Sequence, residues 1–159
     1  MIGDPLATAR EREGPSLRAR ALRFLARREH SRDELARKLA PHAEEGDDVD
    51  ALLDDLVKRG WLSDARFAEQ TIRAKARRFG PLKVAQQLRA RGIDEETIAR
   101  GFRAAAADGV ASLESIWRSR FHGIPADARE RARQVRFLQG RGFALEEVMR
   151  FVRSMEKSR

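Results

Sequence analysis

Between His42 and Leu56 the chain carries seven carboxylates (Glu44, Glu45, Asp47, Asp48, Asp50, Asp54 and Asp55) and no Lys or Arg. Asp50 and Asp54 are one helical turn apart, and with Asp47, Asp48 and Asp55 they could be imagined as a divalent-metal nuclease cluster. The stretch lacks the glycine turn of a calcium loop, and no Lys or His is placed among the acids as a base. Carboxylates near a helix start are favoured by the macrodipole without any metal, so an exposed acidic face is expected and no metal. The opposite pattern runs from Arg73 to Arg91. Seven bases (Arg73, Lys75, Arg77, Arg78, Lys83, Arg89 and Arg91) stand there with no acid between them. Cations so arranged suit a polyanion, and each phosphate they neutralise would release a counterion and make binding salt-dependent. Two further stretches, 18–41 and 118–141, each carry a net +5. No zinc-ligand spacing and no aromatic-interleaved sheet motif accompanies them, so base reading is not expected. His30, His42 and His122 stand beside expected helix ends without a nucleophile partner. Phosphate-binding glycine loops are absent and so is cysteine, which removes thiol chemistry and thiolate metal sites. A non-enzymatic chain without a cofactor is expected.

Helices must position these charges. Val49, Leu52, Leu53, Leu56 and Val57 fall on a helical stripe, as do Leu145, Val148, Met149, Val152 and Met155. Val110, Leu113, Trp117 and Phe121 make a third stripe, and Ile98 with Phe102 a fourth; both tryptophans, Trp61 and Trp117, read as core. No β-type alternation occurs, and an all-α fold is expected. Ser31-Arg32-Asp33-Glu34 has the form of a capping box, the serine accepting from the Glu34 amide while the Glu34 carboxylate reaches back. Pro81 suits a first helical turn. Breaks at Gly60, Gly80, Gly92, Gly109, Gly123 and Gly142 then divide about nine helices: 17–28, 31–40, 48–59, 63–79, 81–91, 94–107, 110–121, 126–140 and 144–156. Met1 to Gly14 contains no hydrophobic signal core, and no apolar run approaches the length of a membrane span. A cytoplasmic protein is expected. Its formal net charge of +8 and pI near 11.0 favour an anionic partner.

An internal echo groups the helices. Leu88, Arg91-Gly92-Ile93, Ile98 and Phe102 recur fifty residues later as Leu138, Arg141-Gly142-Phe143, Val148 and Val152. An earlier copy has Leu39, Val49, Leu52 and Leu56. The expected organisation is a leader over 1–15 and three-helix repeats over 16–60, 61–108 and 109–159.

Four blocks also resemble the bacterial RecX family. Arg28-Glu29-His30-Ser31-Arg32-Asp33-Glu34-Leu35, with Lys38-Leu39 behind it, is similar to the first signature, and Gly60-Trp61-Leu62-Ser63-Asp64-Ala65-Arg66-Phe67-Ala68 to the second. Phe79-Gly80-Pro81 with Leu88 and Arg91-Gly92-Ile93 resembles the central block. Arg136-Phe137-Leu138-Gln139-Gly140-Arg141-Gly142-Phe143 resembles the last. One departure is arginine for the lysines often found around Ile116 to Phe121. The resemblance implies three tandem helix-turn-helix-like bundles in an elongated, curved arrangement. It also implies a regulator that binds the RecA recombinase filament and inhibits its ATPase and strand exchange, restraining recombinational repair and the SOS response. The expected partners are the RecA filament and DNA without sequence preference, no membrane, and the chain a monomer. The expected contacts are Arg73, Lys75, Arg77, Arg78, Lys83, Arg89 and Arg91. A stand-alone helix-turn-helix repressor is the alternative, and it would prefer a defined duplex sequence.

Overall fold

The computed structural model describes residues 14–109 and 112–158. Most of the expected leader and Val110 of the third stripe lie outside them. Among the described residues there are nine α-helices, one short 3-10 turn and no strand. The helices are α1 (Leu17–Arg27), α2 (Arg32–Leu39), α3 (Val49–Lys58), α4 (Asp64–Lys75), α5 (Pro81–Arg89), α6 (Glu95–Ala107), α7 (Leu113–Arg118), α8 (Ala128–Arg141) and α9 (Leu145–Lys157). None is long and apolar enough to cross a membrane.

Local chemistry explains where they start. Ser16, Ser31, Asp48, Ser63, Asp94 and Asp127 each cap a helix, their side-chain oxygens accepting from a backbone amide three residues on. α5 begins at Pro81, whose missing N–H costs nothing in a first turn. The box at Ser31 forms only halfway. Ser31 Oγ accepts from the Glu34 amide at 3.1 Å, but the Glu34 carboxylate turns instead to Arg28, Lys38 and Arg91. Three guanidinium or ammonium groups outcompete one backbone N–H for a carboxylate.

Packing then sorts the helices into threes. Leu35, Leu39, Leu53, Leu56 and Leu62 centre the first core, Phe67, Ile72, Val84, Leu88 and Ile98 the second, and Ile116, Trp117, Leu138, Val148 and Val152 the third. Every extensive helix–helix contact lies within one trio. Two stripes are narrower than their periodicity suggests. Val57 and Leu145 are exposed, because each lies at the flank of its helix while Leu53, Leu56, Val148 and Val152 take the face turned inward. Trp117 is buried, its indole N–H donating to Gln134 at 2.8 Å, but Trp61 is 46% exposed and is not a core residue. Gly60, at φ +74, turns the chain so that Trp61 and Leu62 both donate to the Leu56 carbonyl, and Leu62 alone enters the core.

The two junctions between bundles are built differently. Between the second and third, Gly80 N–H donates to the Arg141 carbonyl at 2.6 Å and Leu82 N–H to the Gly142 carbonyl at 2.9 Å. Gly142, at φ +103, ends α8, and a Cβ there would sit 2.5 Å from that of Lys83. Backbone meets backbone. Between the first and second bundles side-chain carboxylates make the contacts: Arg66 pairs with Glu29 at 2.8 Å, Arg91 with Glu34 at 3.0 Å, and the Arg32 backbone N–H donates to Asp64 at 2.8 Å.

Candidate polyanion-binding surface

The seven cations of the 73–91 stretch do not form one stripe. Arg73, near the end of α4, pairs with Glu69 at 3.4 Å and with Asp108 beyond α6. Arg89 closes on Glu95 across the α5–α6 turn, and Arg91 reaches Glu34 of the first bundle. Bonds to these carboxylates raise the pKa of both Arg73 and Arg89. All three side chains stay about half exposed, so their pairs are weak and exchangeable toward a competing anion. Lys75, Arg77, Arg78 and Lys83 have no carboxylate in ion-pair range among the described residues. Lys75 lines a cleft of about 420 Å³ with Arg28 and Arg91, on the side facing the first bundle. Arg77 is exposed in the connection after α4.

Arg78 and Lys83 lie elsewhere, and they have company. Phe79 is half-buried at the second junction, with Lys83 Nζ 4.8 Å, Arg78 5.5 Å and Arg141 6.0 Å from its ring centre. Arg141 also covers Phe137 at 5.1 Å, and Phe137 meets Phe121 edge-on at 5.2 Å. Arg133 and Arg120 complete the row over Phe121, at 5.5 and 5.9 Å. Five cations are thus seated along three phenylalanines from α8 across to α5. A ring face attracts a cation without neutralising it, so these heads are oriented and keep their charge for an external anion. Among the described residues, the one acid paired to this row is Glu130, 3.6 Å from Arg133. The glycine junction sets the register, since Lys83, Arg78 and Arg141 flank the two interbundle backbone bonds, and Arg141 Nη1 itself donates to the Arg78 carbonyl at 3.3 Å.

Arg120, Arg133 and Arg141 are not among the contacts expected from sequence. A signal exists in the +5 of residues 118–141, but nothing in the sequence brings that stretch to Phe79. Elsewhere the candidates are structural. His30 is fully buried with Nδ1 3.0 Å from the Arg28 carbonyl, and burial lowers its pKa. Asp48 caps α3, Asp54 pairs with Arg32 at 2.8 Å, and Asp55 binds Arg18 and Arg59. Among the described residues no group of three acids or histidines is placed to hold a metal ion. This surface offers cationic heads and ring faces.

Comparison with known proteins covers nearly the whole of this architecture. Three family models match in chain order: the first three-helix domain of RecX over residues 18–56, the second over 63–101 and the third over 107–152. The regulatory protein RecX of Chromobacterium violaceum is 47% identical over 131 residues, 82% of this chain and 85% of that protein. Its counterpart in Herminiimonas arsenicoxydans is 43% identical over 143 residues, covering 90% and 95%. Among solved structures, RecX from Lactobacillus salivarius superposes with a TM-score of 0.66 at 15% identity, over 86% of this chain and 94% of that one. A second crystal structure of a regulatory protein RecX gives 0.67 at 18%, over 87% and 71%. Those two likenesses concern the fold.

Proposed function

The chain belongs to the RecX family of regulatory proteins, and from that premise we propose that it binds the RecA filament on DNA and restrains it. Bound along the filament, it inhibits RecA-dependent ATP hydrolysis and strand exchange, and so tempers recombinational repair and the SOS response. It does this by occupancy, without chemistry or cofactor of its own. The observation that most supports the reading is the row of oriented, largely unpaired cations across the second junction, Lys83, Arg78 and Arg141 over Phe79. Cations held on ring faces along a rigid junction match a regularly spaced polyanion and read no base edges, which suits a coat indifferent to sequence. Of the seven expected contacts, Lys75, Arg77, Arg78 and Lys83 are proposed as direct cations. Arg73, Arg89 and Arg91 join by exchanging their carboxylate partners.

The test is RecA ATP hydrolysis on single-stranded DNA, titrated with this protein. Hydrolysis is expected to fall with dose, and the charge-reversed variant Arg77→Glu/Arg78→Glu/Lys83→Glu to inhibit much less. Unchanged hydrolysis at saturating protein overturns the reading. Preference for one duplex sequence over filaments would favour a helix-turn-helix repressor instead.

A further inference from the structure

The two junctions differ in what can undo them. At the second, the backbone bonds from Gly80 to Arg141 and from Leu82 to Gly142 do not involve the charged heads around them. At the first, two of the three polar ties sit together at the start of α4, where Asp64 accepts from the Arg32 backbone N–H and Arg66 pairs with Glu29. The third, Arg91 to Glu34, stands apart in the turn after α5. Next to it a Cβ on Gly92 would collide with the Asp33 carboxylate, so this turn lies flush against α2. Among the described residues, Arg91 makes the one ion pair that fastens that end of the junction.

Arg91 is also the most replaceable partner Glu34 has. Arg28 grips the carboxylate through two hydrogen bonds, at 2.5 and 3.1 Å, and Lys38 stands 3.9 Å from it. If Arg91 leaves, the nearly buried carboxylate keeps its other partners, so the exchange costs little. Arg91 is half exposed and lines, with Arg28 and Lys75, the cleft of about 420 Å³ on the side facing the first bundle. Three cations line that cleft and no acid does, with Thr71 and Gln87 as polar groups one turn from Lys75 and Arg91. We propose that the cleft is a phosphate site: Lys75 and Arg91 take the phosphate, Arg91 gives up Glu34 to do so, and the first bundle is freed to swing about the start of α4 while the second and third stay joined. This rests on the polyanion reading above and deepens it, because the phosphates of a bound strand then set the bend of the chain that carries them. A ligand moves a joint only by binding one state better, and Lys75 with Arg91 is a complete phosphate pair only once Glu34 is released.

The chain has no cysteine, so spin labels attach only at introduced ones. Arg37→Cys/Gln86→Cys, at exposed positions of α2 and α5, spans the first junction, and Gln86→Cys/Gln139→Cys spans the second. Distances are read by pulsed electron resonance with pyrophosphate, with a single-stranded oligonucleotide, and with sodium chloride at matched ionic strength; circular dichroism checks folding. The first pair is expected to shift and broaden with both phosphate probes but not with chloride, while the second pair stays as it was. Arg91→Ala should be broad before any phosphate is added. Lys75→Ala should start narrow and need on the order of 5-fold more phosphate to move. A first pair unmoved by either phosphate probe overturns the proposal. So does an equal response to chloride, which reduces the effect to screening of an ion pair, and so does a wild-type response from Lys75→Ala. Movement with both probes assigns the site to the strand, and movement with pyrophosphate alone assigns it to a free polyphosphate. Inhibition of RecA-dependent ATP hydrolysis by a chain whose first pair never moves removes the joint and leaves the filament reading standing; movement without inhibition does the reverse.

Discussion

Replacing Glu34 by Gln tests how the first two bundles are joined. The Arg28 guanidinium bonded to Glu34, with Arg91 from the second bundle beside it, holds this nearly buried carboxyl down to about 2 against an ordinary 4.5. The unfolded chain therefore takes up a proton below pH 4.5 that the folded chain refuses. The ion cluster contributes fully above pH 4.5, and its contribution drains away as the pH falls toward 2. At about 1.4 kcal/mol per pH unit, the interval from 4.5 to about 2 comes to about 3 kcal/mol. Glutamine keeps the shape and an acceptor for Arg28 but not the charge, and Arg28, Lys38 and Arg91 are exposed enough to hydrate once released. Urea unfolding of Glu34→Gln at pH 7 should show a loss of about 3 kcal/mol, shrinking to about 1 kcal/mol at pH 3, where the wild type has itself lost most of the interaction. An equal loss at both pH values would refute the argument, because it would make Glu34 a packing element whose charge is incidental.

Three other perturbations and one measurement of shape follow from the same geometry. Leu138→Ala, at a fully buried position in the third core, should cost about 2–5 kcal/mol, read as a lower midpoint in thermal or urea unfolding. Gly142→Ala forces a Cβ into Lys83 at a left-handed φ, and hydrogen exchange should show the Gly80 and Leu82 amides losing protection together. Removing Lys83, Arg78 and Arg141 should flatten the dependence of log K on log salt for single-stranded DNA by roughly 0.7 for each phosphate that is no longer neutralised. Three cores in a row should give a radius of gyration by solution scattering clearly above the ~15 Å of a compact chain of this length.

The helices were legible in the sequence because their causes are local. Ser31, Asp94 and Asp127 cap within three residues of themselves, Pro81 and Gly142 act through their own φ, and apolar periodicity needs no partner to be read. Where that reading failed, the cause was a question of neighbours. Periodicity placed Val57 and Leu145 on a core face, yet a bundle of three short helices closes over only part of each stripe. Trp61 was indistinguishable by spacing from Trp117 until the Gly60 turn sent Leu62 inward in its place. Glu34 looked like half of a capping box because the sequence shows Ser31 beside it but not Arg91 of another bundle.

Composition and period by themselves determined that this chain is helical, strongly basic and organised around an internal repeat, since those properties are sums over residues or relations within one or two turns. Glu69 and Glu95 reach Arg73 and Arg89 from one helical turn or one loop away, but Asp108, Glu34 and the seating of Arg141 beside Arg78 and Lys83 were decided by tertiary structure. The acids that neutralise Arg73, Arg89 and Arg91 (Glu69, Asp108, Glu95 and Glu34) all lie outside the acid-free stretch, and the ring that collects Arg78 and Lys83 is shared with Arg141 from another bundle. Electrostatic attraction falls with distance through space, and a folded chain sets that distance without regard to how far apart two residues stand along it.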